Sequence, residues 1–282
     1  IVVMHDFAID QIIRLKSIDQ LLNTLSEKTN FEASTIVRGI TSMADIKGGN
    51  AINIAYCLAK LGQNVTLFTI ADQTGSAILR KIFSQFENRV TLCIANGRHG
   101  LTTAIEFPNE EGHKVNVLLS DVGDNSNFGP ERISCQQYLD ILANANAVAV
   151  VNWATNLNGS QLAEYAFKMS PKALHFLAPA DIKTRNEEFR DCLKEIAGIL
   201  DILSINENEC NWLAKAIGCG ILLHEASHNN DDVRSAAKII ARKTGIRNVD
   251  LHTRIGSAWS DGNESVFSPS VKCEAKTMTG AG

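Results

Sequence analysis

Short apolar runs alternate along the chain with longer amphipathic stretches. Residues 65–70, 90–94, 147–151, 173–177, 199–205 and 248–253 are rich in Val, Ile, Leu and Phe and have strand length. The run Ala147-Val148-Ala149-Val150-Val151 is apolar at every position, the pattern of a central parallel strand covered on both faces. Between these runs, residues 50–61, 76–86, 160–168, 187–197, 207–216 and 231–244 have helical periodicity. The first places Ile54, Leu58 and Leu61 on one stripe and stops at Gly62, a C-terminal signal. The last opens on Asn230-Asp231-Asp232, which suits a cap and the positive helix end, and closes on Arg242-Lys243 and Gly245. Strand–helix alternation predicts an α/β fold: a doubly wound, mainly parallel sheet with helices on both faces, in one domain spanning residues 1–282.

Two regions break the rhythm. Residues 35–47 and 102–119 alternate polar with apolar positions, and 103–107, the turn 108–112 and 114–118 read as a hairpin. The expectation is a small β-sheet lid, with strands drawn from about 11–47 and 100–120. Residues 14–30 contain a helical run at 19–25 with no evident role.

Composition narrows the class. The chain has 282 residues, 45% hydrophobic and 21% charged, with 27 Lys and Arg against 31 Asp and Glu, for a net charge of -4. That balance argues against a nucleic-acid partner, and no apolar run reaches membrane-spanning length. Seven scattered cysteines without a CxxC pair read as reduced thiols in a cytoplasmic protein.

Three short segments carry candidate chemistry. Gly48-Gly49-Asn50-Ala51-Ile52-Asn53 opens a helix; paired glycines let backbone N–H groups approach a ligand, and Asn53 would add an amide beside them. An equally available reading is a glycine turn with a cap. Asn206-Glu207-Asn208-Glu209 follows a strand at its carboxyl end, where doubly wound sheets bind ligands. A carboxylate there can hold Mg²⁺ through water or simply suit the helix dipole. Thr277-Met278-Thr279-Gly280-Ala281-Gly282 has the small residues that let backbone amides cradle an anion. Walker A and GxGxxG motifs are both missing.

In this order the three segments resemble the signatures of the ribokinase-like, or PfkB, carbohydrate kinases, and the resemblance covers essentially the whole chain. It matches Asp10 to the family's substrate-binding Asp, and Gly48, Gly49 and Asn53, with Ala55 and Gly62, to the first signature. It matches Asn206 and Glu209 to N-x-x-E, and Thr279, Gly280, Ala281 and Gly282 to T-G-A-G-D. Departures are His5 and Asp72 where glycines are usual, Thr277 where Asp is frequent, and Gly256 one residue late. The resemblance implies a Mg²⁺-dependent kinase moving a phosphoryl group from ATP to a hydroxymethyl group of a sugar such as ribose, or of a nucleoside. It further implies that Asp10, Gly48, Gly49 and Asn53 bind the substrate, while Asn206, Glu209, Thr253 and Gly256 bind the nucleotide. Glu209 would hold Mg²⁺ through water, and the amides of Gly280, Ala281 and Gly282 would form an anion hole. The general base is expected immediately after Gly282, where the sequence stops, and a homodimer through the lid is expected.

Two other classes compete. His224-Glu225-Ala226-Ser227-His228 is a literal HExxH that could hold Zn²⁺ in a protease. The short segment between Gly220 and Asn229-Asn230 argues instead for a connector between helices. A non-catalytic sugar or nucleotide sensor could share the kinase fold. Trp153, Trp212 and Trp259 read as packing residues, and His99, His113 and His175 as surface or capping residues.

Overall fold

The structure, a computed structural model, describes residues 1–28, 40–109, 111–112, 114–223 and 229–271. The chain runs β1 (Val2–His5), β2 (Ala8–Leu15), α1 (Asp19–Lys28), β3 (Ile40–Gly48), α2 (Asn50–Lys60), β4 (Val65–Ala71), α3 (Gln73–Phe83), β5 (Val90–Asn96), β6 (Gly100–Pro108) and β7 (Lys114–Asp121). It continues through α4 (Gln136–Ala143), β8 (Ala147–Val151), α5 (Gly159–Lys168), β9 (Leu174–Ala178), α6 (Asn186–Ile196), β10 (Ile202–Asn206), α7 (Glu207–Ala216), α8 (Asn230–Thr244), β11 (Asn248–His252), β12 (Gly256–Ser260) and β13 (Ser265–Pro269).

The main sheet has the order β13-β12-β11-β10-β9-β8-β1-β4-β5, and every pairing from β5 to β11 is parallel. The antiparallel edge β12–β13 has no counterpart in the sequence reading, because Gly256-Ser257-Ala258-Trp259-Ser260 has too few apolar residues to announce a strand. The eight-residue α4 is likewise absent from the predicted elements.

Alternation along β1 decides which helices cover which face. Val2 and Met4 join Leu162, Phe167, Phe189, Leu213 and Ile240 from α5 to α8, while Val3 joins Ala51, Ile52, Ala55, Leu79 and Phe83 from α2 and α3. Burying each of the larger of these side chains, Val, Leu, Ile, Phe or Met, contributes about 1.5–3 kcal/mol. His175, whose sequence context predicts a surface or capping residue, is buried. Its ring stacks on Phe167 at 4.6 Å, with Nδ1 2.5 Å from the Ile199 carbonyl and Nε2 2.9 Å from that of Ser170.

Helix ends follow local rules with small shifts. Asp72 is the N-cap of α3, accepting from the Gly75 N–H at 2.8 Å. The cap of α8 is Asn229 rather than Asn230, closed by a reciprocal bond with Asp232. No helix among the described residues is long and apolar enough to cross a membrane.

The four remaining strands form a separate sheet in the order β3-β2-β6-β7, with β2 parallel to β6 and the outer pairs antiparallel. Only Asp6 and Phe7 separate the end of β1 from the start of β2 at Ala8, so the sheet grows directly from the centre of the main one. Asn125 pins this crossing, accepting from the Phe7 N–H at 3.3 Å and donating to the Phe7 carbonyl at 2.9 Å.

Candidate active site

β1 lies between β8 and β4, and the chain winds away from it on both sides. Such a switch point opens a crevice at the carboxyl ends of the strands. Asp6 sits there, 4% exposed. Its carboxylate accepts from Asn50 N at 2.8 Å, Ala51 N at 2.9 Å and the Asn152 side-chain amide at 2.9 Å. The first two are orphan donors at the start of α2, whose positive end favours an anion. Asp6 therefore ties β1, α2 and the end of β8 into one corner. Sequence reasoning passed over it; the available signal was an acid ending the first apolar strand.

Gly49 is the N-cap of α2 with φ 93°, and a Cβ there would lie 2.6 Å from the Asp6 carbonyl oxygen. A Cβ on Gly48 would meet Asp10 Oδ1 at 2.2 Å, so the Asp10 carboxyl lies directly against the glycine backbone. Asp10 is on β2, in register with Ile46 and Thr102. Burial raises its pKa; the Thr102 hydroxyl partly opposes this, and the Asp6 charge adds to it. Thr102 Oγ1 is also 3.1 Å from Ser120 Oγ. Asp10, Thr102 and Ser120 thus form a polar rung across β2, β6 and β7. Asn53, one turn into α2, accepts from Lys47 Nζ at 2.6 Å. The structure thus brings Asp10, Gly48, Gly49 and Asn53 to one end of α2 and adds Asp6, Lys47, Thr102 and Asn152.

The second group sits farther along the same rim. Asn206 and Glu209 form a capping box: Glu209 N donates to Asn206 Oδ1 at 2.9 Å, Asn206 N to Glu209 Oε2 at 2.9 Å and Asn206 Nδ2 to Glu209 Oε1 at 2.8 Å. Glu209 is 6% exposed, and burial pushes its carboxyl up to about 7. The Asn206 backbone N–H and His252 pull it down, and Asp181 pushes it up. His252, on β11, is raised by Asp250, whose carboxylate lies 3.8 Å from its Nδ1. Burial alone would raise Asp250, but pairing with His252 and hydrogen bonds from Ser257 at 2.6 Å and Ser204 at 2.8 Å hold it low. Thr253 and Gly256 close the β11–β12 turn, with Thr253 N and Oγ1 each 2.8 Å from the Gly256 carbonyl. Glu207 accepts from the Arg254 N–H within that turn at 3.0 Å.

β1 and β10 are three strand spacings apart, about 14 Å. The two groups therefore occupy separate stations on one rim rather than one cluster. Gly280, Ala281 and Gly282 lie outside the described residues, as do His224, Glu225 and His228. A cavity of about 280 Å³ lined by Asn64, Glu87, Arg89 and Asn146 sits at the opposite, amino-terminal end of the strands, away from both groups.

Among the described residues no group of three or more His, Cys, Asp or Glu side chains could hold an ion directly. Glu209, with both oxygens already accepting one hydrogen bond and Asp181 nearby, fits a divalent ion held through water.

Known proteins share this fold. Residues 13–282 match the profile of the pfkB family carbohydrate kinases. No curated protein matches the sequence. Among solved structures, the chain is similar to adenosine kinase from Sinorhizobium meliloti (TM-score 0.67, 16% identity, 97% of this chain and 81% of that one). It is also similar to ribokinase from Giardia lamblia (0.68, 17%, 97% and 77%). A third is Arabidopsis thaliana ribokinase complexed with ribose and ATP (0.65, 19%, 95% and 77%).

Proposed function

The chain belongs to the pfkB family of carbohydrate kinases, and from that premise we propose that it transfers the terminal phosphoryl group of ATP to a hydroxymethyl group of a sugar such as ribose, or of a nucleoside. The observation that carries this reading is the pair of stations about 14 Å apart on one rim. That spacing suits an acceptor at one end and a nucleotide at the other, with the phosphoryl groups between.

At the acceptor station, Asp10 accepts from substrate hydroxyls while the Gly48-Gly49 backbone, which tolerates no side chain, lets the sugar lie close. Asn53 adds an amide at the same end of α2. At the donor station, Thr253 and Gly256 border the nucleotide. Asn206 and Glu209 would hold Mg²⁺ through ordered water, and the ion would supply neutralisation of phosphate charge. The amides of Gly280, Ala281 and Gly282 would stabilise charge developing on the transferring group. The small sheet covers the acceptor and excludes water that would otherwise compete for the phosphoryl group.

The outer face of that sheet supports a homodimer. Ile9, Ile13, Leu101, Ile105, Val117 and Leu119 share it by register, and Leu101, Val117 and Leu119 are about half exposed. The free thiols Cys57, Cys93, Cys135, Cys192, Cys210 and Cys219 support a reducing, cytoplasmic setting.

The test is a panel of pentoses, hexoses, sugar phosphates and nucleosides with ATP and Mg²⁺, followed by nucleotide product release and ³¹P NMR of the acceptor. Phosphorylation of a hydroxymethyl group is expected for at least one member. Saturable acceptor binding without turnover would replace the kinase with a sensor.

A further inference from the structure

Asn53 is held in an unusual way. Lys47, the residue before Gly48-Gly49, sends its ammonium 2.6 Å from Asn53 Oδ1. The lysine stem is partly buried, and Nζ lies 4.7 Å from the centroid of the Tyr56 ring, in cation–π range. Tyr56 is itself held by Gln85, whose Nε2 donates to its hydroxyl at 2.9 Å. The contact therefore joins the end of a lid strand, β3, to the helix that carries the Asn53 amide, bridging the two glycines.

An ammonium has three donors and no acceptor. It can bind only the oxygen of the Asn53 amide, so the amide cannot flip. Nδ2 has no protein partner among the described residues. We propose that Lys47 is a positioning residue that makes Asn53 a donor-only group and so sets the polarity of the acceptor subsite, an inference that rests on the sugar or nucleoside kinase reading. Asp10, when ionised, only accepts. A substrate hydroxyl, or a vicinal pair, would then donate to Asp10 and receive a hydrogen bond from Asn53, which fixes the direction of each O–H. The adjacent positive charge polarises the amide and strengthens that donation.

The test uses Lys47→Met and Lys47→Arg, with D-ribose and adenosine as acceptors. Lys47→Met is expected to raise KM for the accepted substrate about tenfold, the loss of one charge-tuned hydrogen bond, with kcat within about twofold. Lys47→Arg, which also only donates, should recover most of the difference. An unchanged KM, or parallel loss of kcat and thermal stability without rescue by arginine, overturns the proposal. A readout independent of turnover is the Asn53 side-chain ¹⁵N–¹H₂ pair, assigned by its disappearance in Asn53→Asp. Lys47→Met should shift both protons and speed their exchange with solvent, and an unmoved pair overturns the inference. If neither acceptor is phosphorylated while the amide pair responds to Lys47→Met, the kinase reading of these substrates fails but the donor-only amide stands.

Discussion

The two stations bury carboxylates by opposite means. At the switch point, Asp6 is buried among donors: two helix N–H groups and a side-chain amide meet its two oxygens. At the β10–β11 end, Glu209 also has its oxygens hydrogen-bonded, yet desolvation outweighs those bonds and lifts its carboxyl to about 7. Hydrogen bonds from the start of another element build a rigid corner. A buried acid with a second acid nearby makes a place that gains from a cation. On the proposed function, the first would receive neutral hydroxyls and the second phosphate and its counterion.

The sharpest break of this contrast is Asp6→Ala. It strands three donors in a buried corner and should cost about 4 kcal/mol, read as a lower urea midpoint at unchanged m-value. Asp6→Asn should keep part of this, because one amide oxygen can still accept. A loss below about 1 kcal/mol would remove Asp6 as the keystone of that corner.

Gly49→Ala comes next. With φ 93° and the Asp6 carbonyl 2.6 Å from the new Cβ, it should destabilise by about 2–4 kcal/mol and weaken acceptor binding without moving nucleotide affinity. Equal loss at both stations would mean that they are not separable.

Glu209→Gln sharpens the other side through pH. The folded carboxyl is raised to about 7 from the ordinary 4.5, so between those values the folded state binds more protons than the unfolded one. The stability of the parent protein should therefore fall as pH rises from 4.5 to 7 by up to about 3 kcal/mol. The Gln variant should lack that component. Denaturation curves at pH 5 and pH 8, with a chelator to exclude divalent ions, measure the difference in slope. Parallel profiles would show that Glu209 is ionised throughout.

The smallest expected effect on folding is at the lid surface. Leu119→Lys leaves an exposed position exposed and should change monomer stability by less than about 0.5 kcal/mol. Light scattering should nevertheless report a shift from dimer to monomer. A mass that stays at one value for both proteins would remove the outer lid face as the interface.

Much of this was legible in one dimension. The strands read at 65–70, 90–94 and 147–151, within a residue or two of those observed, and the helices ending at Gly62 and Gly245 follow from periodicity and caps, because both are local. Gly48-Gly49 and Asn206-x-x-Glu209 stood out because each couples a strand end to a helix start. Asp6, Asn152, Thr102 and Lys47 did not, since their partners lie in other elements. Asp6 and Asn152 are 146 residues apart. β12 and β13 escaped because an edge hairpin of Ser, Gly and Trp is stabilised by pairing with β11 rather than by its own hydrophobic pattern.

By itself, then, the sequence determined which segments become strand or helix and which short motifs begin the functional helices, because capping, periodicity and glycine geometry act over a few residues. Tertiary structure alone decided that Asp10 belongs to a sheet of its own beside Thr102, and that Asp6 holds the start of α2. It also decided that Lys47 orients Asn53 and that Glu209 is buried enough to titrate near neutrality. Those properties depend on desolvation and on hydrogen bonds between remote segments, and both exist only once the sheet has brought the strands side by side.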